Sequence, residues 1–392
     1  MLDWLACRLA PTLPSLTDLP PGEPPDPLGN DELLERTRGA HAAALAAPFS
    51  PSGVTNPLRV LLGMGCRDLV GREADQNPAT AGRSPNFEAA GPWAPVELPV
   101  DDGPTLTGHH SLGAPGAPVV IVEHGMFDSH TSAYVVEWAE CLRRWGFHVF
   151  AFDLRDHGRL LESEYVASLG LGEGRDLFRA ARTLGRAEGV SVGLLGLSYG
   201  GQCAVRAAHE ATLAGEPEVL AGGVVSVCAP LNMHEALNTL DDPSRLPRLP
   251  GFLDRQILKG LFKATRRQAL ARIRHRGGKP HPDELFSSYV REVVIPNAQG
   301  IVPRLVGSYL GEVRCTRPDV LGALTVPTLL LHSADDPFVP VKHLREALAV
   351  AKGNPWVAGR ELPAGGHVGL AAVDPAGSRE IVGGFFARLR SG

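Results

Sequence analysis

From residue 119 onward, short runs of aliphatic and β-branched residues alternate with longer segments of helix formers. That alternation restricts the chain to a few folds. Val119-Val120-Ile121-Val122-Glu123, His148-Val149-Phe150-Ala151-Phe152-Asp153, Val190-Ser191-Val192-Gly193-Leu194-Leu195, Gly223-Val224-Val225-Ser226-Val227, Pro327-Thr328-Leu329-Leu330-Leu331 and Val357 to Leu362 read as strands. Between and after them, residues 131–145, 173–188, Gln202 to Ala214 and Gly377 to Arg390 read as helices. Runs this uniformly apolar suit strands covered on both faces, and strand–helix alternation suits a mostly parallel sheet with right-handed crossovers. The fold class is therefore α/β. Upstream, Val96 to Val100 and Thr105 to His109 flank Asp101-Asp102-Gly103, a hairpin signal that predicts an antiparallel lead-in. Ligands of such sheets bind at the carboxyl ends of the strands.

One strand end carries Gly196-Leu197-Ser198-Tyr199-Gly200-Gly201. A G-x-S-x-G between strand and helix puts the serine on a tight, strained turn with its hydroxyl exposed for attack. A serine hydroxyl needs a base to take its proton and a third group to orient that base. The base is expected after the last strand, where Gly365-Gly366-His367-Val368-Gly369 stands. The acid is expected after the preceding strand, where Ser333-Ala334-Asp335-Asp336-Pro337 offers two carboxylates. One of the two would merely cap the turn, and Asp336 is chosen over Asp335 from its place immediately before the Pro-x-x-Pro turn. Acyl transfer also requires donors aimed at the developing oxyanion. The backbone N–H of Tyr199 is one. The second is placed on the loop after the Val119–Glu123 run, His124-Gly125-Met126-Phe127, with Met126 N–H chosen and Phe127 N–H as the fallback. Phe127 and His124 are also candidates for the substrate pocket.

These residues, in this order, resemble the alpha/beta-hydrolase superfamily from about Val96 to Arg390. The match comprises His124-Gly125, Asp153-Leu154-Arg155-Asp156-His157-Gly158, the Ser198 elbow, Asp336 and His367. Asp-Asp-Pro-Phe-Val-Pro, Gly-Gly-His-Val-Gly and Ser132-Ala133-Tyr134 further resemble the YheT-like hydrolases. Those relatives usually carry Leu or Met after the nucleophile and a Gly soon after the His-Gly, where this chain has Tyr199 and Phe127-Asp128. The resemblance implies hydrolysis of an ester, thioester, amide or related bond, and it does not identify the substrate.

Residues 1–92 are expected to form a Pro-rich arm (11–29) and a helical extension, with helices from Glu32 to Ala46 and from Asn56-Pro57. Residues 93–229 and 321–392 form the expected core. The insert at 230–320 is longer than a crossover needs and stands where the superfamily places a lid. Phe252-Leu253, Ile257-Leu258, Leu261-Phe262 and Leu270 recur there at near-helical spacing, and residues 255–279 hold nine Lys or Arg and no Asp or Glu. That run reads first as a solvated helix face, and alternatively as a surface for an anionic substrate or membrane.

A net charge of −5 is not that of a general nucleic-acid binder. No apolar run spans a bilayer, and the first residues lack the basic start and apolar stretch of a secretory signal. Six scattered cysteines without C-x-x-C read as buried thiols in a cytoplasmic protein. His109-His110 and His275/His281 lack metal-ligand spacing, so neither metal nor cofactor is expected. The reading is a serine carboxylesterase acting on a small acyl ester through Ser198, His367 and Asp336, its oligomeric state left open. Its rivals are acyl transfer by the same residues, a lipid-directed enzyme in peripheral contact with membrane, and a non-catalytic binding module.

Overall fold

Strands β1 (Ala94–Pro99), β2 (Thr105–Ser111), β3 (Val119–Glu123), β4 (His148–Phe152), β5 (Val192–Leu197), β6 (Gly223–Val227), β7 (Thr328–Ser333) and β8 (Val357–Leu362) form one sheet in the computed structural model. The structure describes residues 33–51, 87, 92–113, 117–188, 190–242, 252–281, 285–297 and 306–389. Across the sheet the order is β1-β2-β4-β3-β5-β6-β7-β8. The β1/β2 hairpin pairs Pro99 with Thr105, β2 joins β4 antiparallel, and every pairing from β4 to β8 is parallel.

Side chains of successive strand residues point to opposite faces, and the apolar runs supply both. Val119, Ile121, Val192, Leu194 and Val224 pack on one side with α3 (Leu171–Glu188) and α4 (Tyr199–Ala214). Val120, Val122, Leu195, Leu197, Val225 and Val227 pack on the other with α2 (Ala133–Arg144) and α11 (Pro375–Arg388). This accounts for the continuous hydrophobicity of the strands. Alternating polar residues would have left one face unburied.

The helix α1 (Leu33–Ala46) lies against α11: Ala40 and Ala44 are buried in the same cluster, and the His41 ring stacks on Phe385 and meets the Thr328 carbonyl at 3.0 Å. The second expected N-terminal helix and the Pro-rich arm lie outside the described residues. Between β6 and β7 come α5 (Met233–Asp241), α6 (Phe252–His275), α7 (Leu285–Tyr289) with the π-helical turn Val290–Val294, and α8 (Val306–Val313). Beyond β7 follow α9 (Lys342–Val350) and α10 (Leu370–Val373).

Boundaries around the elbow differ from the sequence reading. β5 starts at Val192 and runs through Leu197, two residues past the expected end, and α4 starts at Tyr199 rather than Gln202. The glycines that read as a loop belong to the elements themselves. A Cβ on Gly200 would lie 2.7 Å from the His124 carbonyl oxygen and 2.8 Å from Glu123 Cβ, and one on Gly196 would lie 2.6 Å from Gly201 Cα. They allow helix and strand to meet with a single residue between them.

Candidate active site

That single residue is Ser198. Its backbone has φ 55 and ψ −118, a conformation costing about 1–3 kcal/mol in a residue with a Cβ. It persists because Ser198 N donates to Val227 O at 2.8 Å and Gly200 N donates to His124 O at 3.0 Å, fixing the turn to the strands on either side.

His367, on the loop between β8 and α10, reaches both Ser198 and the end of β7. Its Nε2 lies 2.8 Å from Ser198 Oγ, and its Nδ1 lies 2.8 Å from Asp336 Oδ2. Asp336 Oδ1 accepts from the Phe338 and Val339 amides at 2.9 Å each. Burial pushes the Asp336 carboxyl up, but the charge and hydrogen bond of His367, with His332 and the Val339 amide, outweigh it and hold the pKa below the usual carboxylate range. A carboxylate at Oδ2 leaves Nδ1 as the protonated nitrogen and Nε2 as the acceptor for the serine proton. Asp335 serves the loop instead, its Oδ1 accepting from Gly366 N at 2.8 Å and so anchoring the segment that bears the histidine.

Cys228, His332 and Asp336 bring ligand-type atoms within 4.8 Å of one another, the one such group found among the described residues. His332 Nε2 lies 2.8 Å from the Val339 carbonyl and so carries the proton, and burial pushes the Cys228 thiol up to about 12.

Tyr199 begins α4, so its amide belongs to the first-turn N–H groups that lack an intrahelical acceptor. Met126 is the second residue of a turn closed by Asp128 N donating to Gly125 O at 3.4 Å, and its third residue, Phe127, has φ 63. Tyr134 Oη accepts from Gly125 N and donates to Asp128 Oδ2, both at 2.8 Å. The Phe127 ring sits edge-on to Tyr289 at 5.9 Å and near Phe286 and His157.

A cavity of about 270 Å³ opens over Ser198. Met126, Phe127, Met233, Leu237, Leu240 and Phe338 give it an apolar wall, while Asp128, Tyr134, Ser198, Tyr199, Thr265 and His367 are its polar members. Among the described residues, no lysine or arginine lines it. Phe127 lies at the cavity. His124 does not: its ring is buried behind the loop, accepting from Leu154 N at Nε2 (3.0 Å) and donating from Nδ1 to Gly125 O (2.7 Å). His124 directly follows β3, and its ring turns to the Leu154 amide and the Gly125 carbonyl instead of to the cavity.

Three features escaped the sequence reading. The Tyr134–Asp128 pairing had a signal in Ser132-Ala133-Tyr134, a motif to which the sequence alone assigns no role. Asp156 is buried, with Arg276 Nη2 2.7 Å from its Oδ1, Tyr289 Oη donating to its Oδ2 at 2.9 Å, and Arg272 on its backbone carbonyl. Two cations of the basic run therefore face inward and tie α6 to the loop after β4. Behind the Met126 turn, His109 Nδ1 lies 2.9 Å from His130 Nε2, and His130 Nδ1 lies 2.8 Å from Asp153 Oδ1.

A family model described as the alpha/beta hydrolase family matches residues 119–377. Over 264 residues the chain is 30% identical to a Synechocystis protein named as a candidate esterase, covering 60% of this chain and 67% of the relative. Among solved structures, an esterase of Pyrococcus furiosus matches at 18% identity and TM-score 0.47 over 75% of this chain and 91% of that one. A puromycin-hydrolyzing peptidase of Mycobacterium tuberculosis matches at 15% identity and TM-score 0.48 over 75% of this chain and 38% of that one.

Proposed function

The chain belongs to the alpha/beta hydrolase family, and we propose that it is a serine hydrolase that cleaves carboxylic esters through an acyl-enzyme on Ser198. The observation that carries this reading is His367 bridging Ser198 Oγ and Asp336 Oδ2 at 2.8 Å on each side. Ser198 Oγ gives its proton to His367 Nε2 and attacks the acyl carbonyl carbon. Asp336 holds the imidazole by Nδ1–H and stabilises its charged form. The Tyr199 and Met126 amides receive the carbonyl oxygen as it becomes an oxyanion, each such donor typically worth about 2.7–4 kcal/mol in the transition state. His367 returns the proton to the departing alkoxide. Water, deprotonated by the same nitrogen, then attacks the acyl-enzyme and releases the acid with Ser198 regenerated. In this cycle the side chains carry the proton transfers and the two backbone amides meet the developing oxyanion.

The apolar wall, with no cation among its described residues, favours an uncharged acyl group, since an anionic one would lose its hydration without a partner. The segment between β6 and β7 acts as the lid in this reading, with Met233, Leu237, Leu240 and Thr265 closing the cavity from above. Ser198→Ala should abolish turnover of a short p-nitrophenyl ester while leaving the thermal midpoint within a few degrees. Retained turnover in that variant contradicts the reading.

A second reading directs the same chemistry to lipid. Lys259, Lys263, Arg267 and Arg274 are exposed along α6, which borders the cavity at Thr265. Cosedimentation with vesicles containing phosphatidylglycerol, but not with phosphatidylcholine alone, and its loss in salt would favour it. Equal sedimentation with both would count against it.

A further inference from the structure

The nucleophile elbow is supported from the backbone outward, but the turn carrying Met126 is held by side chains, with His124 Nδ1 donating to Gly125 O at 2.7 Å from behind. Phe127, the third residue of that turn, has φ 63, the left-handed region that glycine or asparagine ordinarily fills. The turn's own hydrogen bond, Asp128 N to Gly125 O, is long at 3.4 Å. A single hydroxyl holds both ends of it. Tyr134 Oη accepts from Gly125 N and donates to Asp128 Oδ2, each at 2.8 Å. Asp128 Oδ1 in turn accepts from Ser129 N at 3.2 Å and from the Ser132 hydroxyl, so the carboxylate is itself held. Tyr134 stands in the first turn of α2, a helix buried along Val135, Val136, Trp138 and Ala139, so its hydroxyl is delivered from a rigid element. The hydroxyl also borders the reacting serine: a Cβ on Gly125 would lie 3.2 Å from Tyr134 Oη and 3.7 Å from Ser198 Oγ.

From this geometry we infer that Tyr134 is a positioning residue whose hydroxyl staples the Gly125–Asp128 turn in the conformation that aims Met126 N–H at the oxyanion. The inference rests on the serine-hydrolase reading for its effect on rate, and on Tyr134 alone for its effect on the turn. No bond to substrate is required of it. Its contribution appears only when charge develops on the carbonyl oxygen, because a misdirected amide harms the transition state more than the neutral ester. The mechanism differs from the usual glycine solution: strain at Phe127 is tolerated because hydrogen bonds on both sides determine the turn.

The test is Tyr134→Phe in the full chain, which removes the hydroxyl and keeps the ring. For a short p-nitrophenyl ester kcat should fall about 10- to 30-fold with KM within about twofold, short of the loss of a whole oxyanion donor. The inhibition constant of a trifluoromethyl ketone, whose adduct places an alkoxide between the same amides, should rise by the same factor. Hydrogen exchange at the Gly125 amide should accelerate about tenfold. A loss confined to KM, or a fall in kcat with ketone affinity unchanged, would make Tyr134 merely a wall of the cavity and overturn the proposal. Should Tyr134→Phe fold poorly, Asp128→Ala, which removes the hydroxyl's acceptor, should show the same kcat and ketone losses, and their absence overturns it equally. If the wild-type chain hydrolyses no ester, the hydrolase reading fails. The staple then stands or falls on Gly125 exchange.

Discussion

The two turns that meet at the reacting carbon are built by opposite means. At the elbow, Ser198 holds φ 55 because Gly196, Gly200 and Gly201 let strand and helix backbones close to within a distance that excludes a Cβ. Across the cavity, Phe127 holds φ 63 with no glycine to relieve it, and Tyr134 and Asp128 supply hydrogen bonds instead. The first device is written in consecutive residues and tolerates nothing larger. The second is spread over ten residues and can be weakened by degrees. The contrast predicts all-or-none behaviour at the elbow and graded behaviour at the Met126 turn.

Gly200→Ala should have the largest effect. The added methyl meets a backbone oxygen and a strand Cβ, neither of which can swing away, so the protein should lose its fold or all measurable hydrolysis. Circular dichroism melts and ester turnover read both, and a stable, active variant would break the contrast. Next is Asp336→Asn, expected to cut kcat about 10⁴-fold with the fold intact, because an amide there reverses the tautomer of His367. Asp335→Asn should cost no more than about tenfold, since Asp335 anchors the loop through backbone amides such as that of Gly366. A larger loss at Asp335 than at Asp336 would reverse their assigned roles.

The smallest effect concerns acid. Burial, followed by the charges of His130 and Arg159, lowers His109 to about 4, and His109 belongs to the chain of rings behind the Met126 turn. A histidine kept neutral on folding lets the unfolded chain bind the extra proton first, so its contribution to stability is lost as pH falls from about 6.5 toward about 4. Because this ring is only half-buried, the change is modest: a few degrees of thermal midpoint across that interval, with the slope reduced in His109→Gln. An identical slope in that variant would show that His109 plays no part in it.

The strands, the hairpin and the elbow were readable because their signals are local: a run of apolar residues, an Asp-Gly, glycines at fixed offsets from a serine. His367 and Asp336 were readable because each follows its own strand, and the structure brings them together with Ser198. Signals that depend on distant residues were not. Nothing in the spacing of Arg272 and Arg276 says that both turn inward to Asp156, more than a hundred residues earlier, so a run read as a solvated face is partly a tether. His124 looked like part of the pocket because the loop bearing it is, while its own side chain points the other way to hold Leu154 N. Tyr134 stands out as part of a motif, but its hydroxyl acquires meaning only once the turn at Gly125 is seen in three dimensions.

The proposed chemistry depends on Ser198 being the residue that attacks. Incubating the full chain with a fluorophosphonate and locating the adduct by peptide mass spectrometry tests this most directly. One adduct is expected, on Ser198, absent in Ser198→Ala and formed at least about a hundredfold more slowly in His367→Ala, which lacks the general base. An adduct on another residue, or labelling that proceeds undiminished without His367, would contradict it.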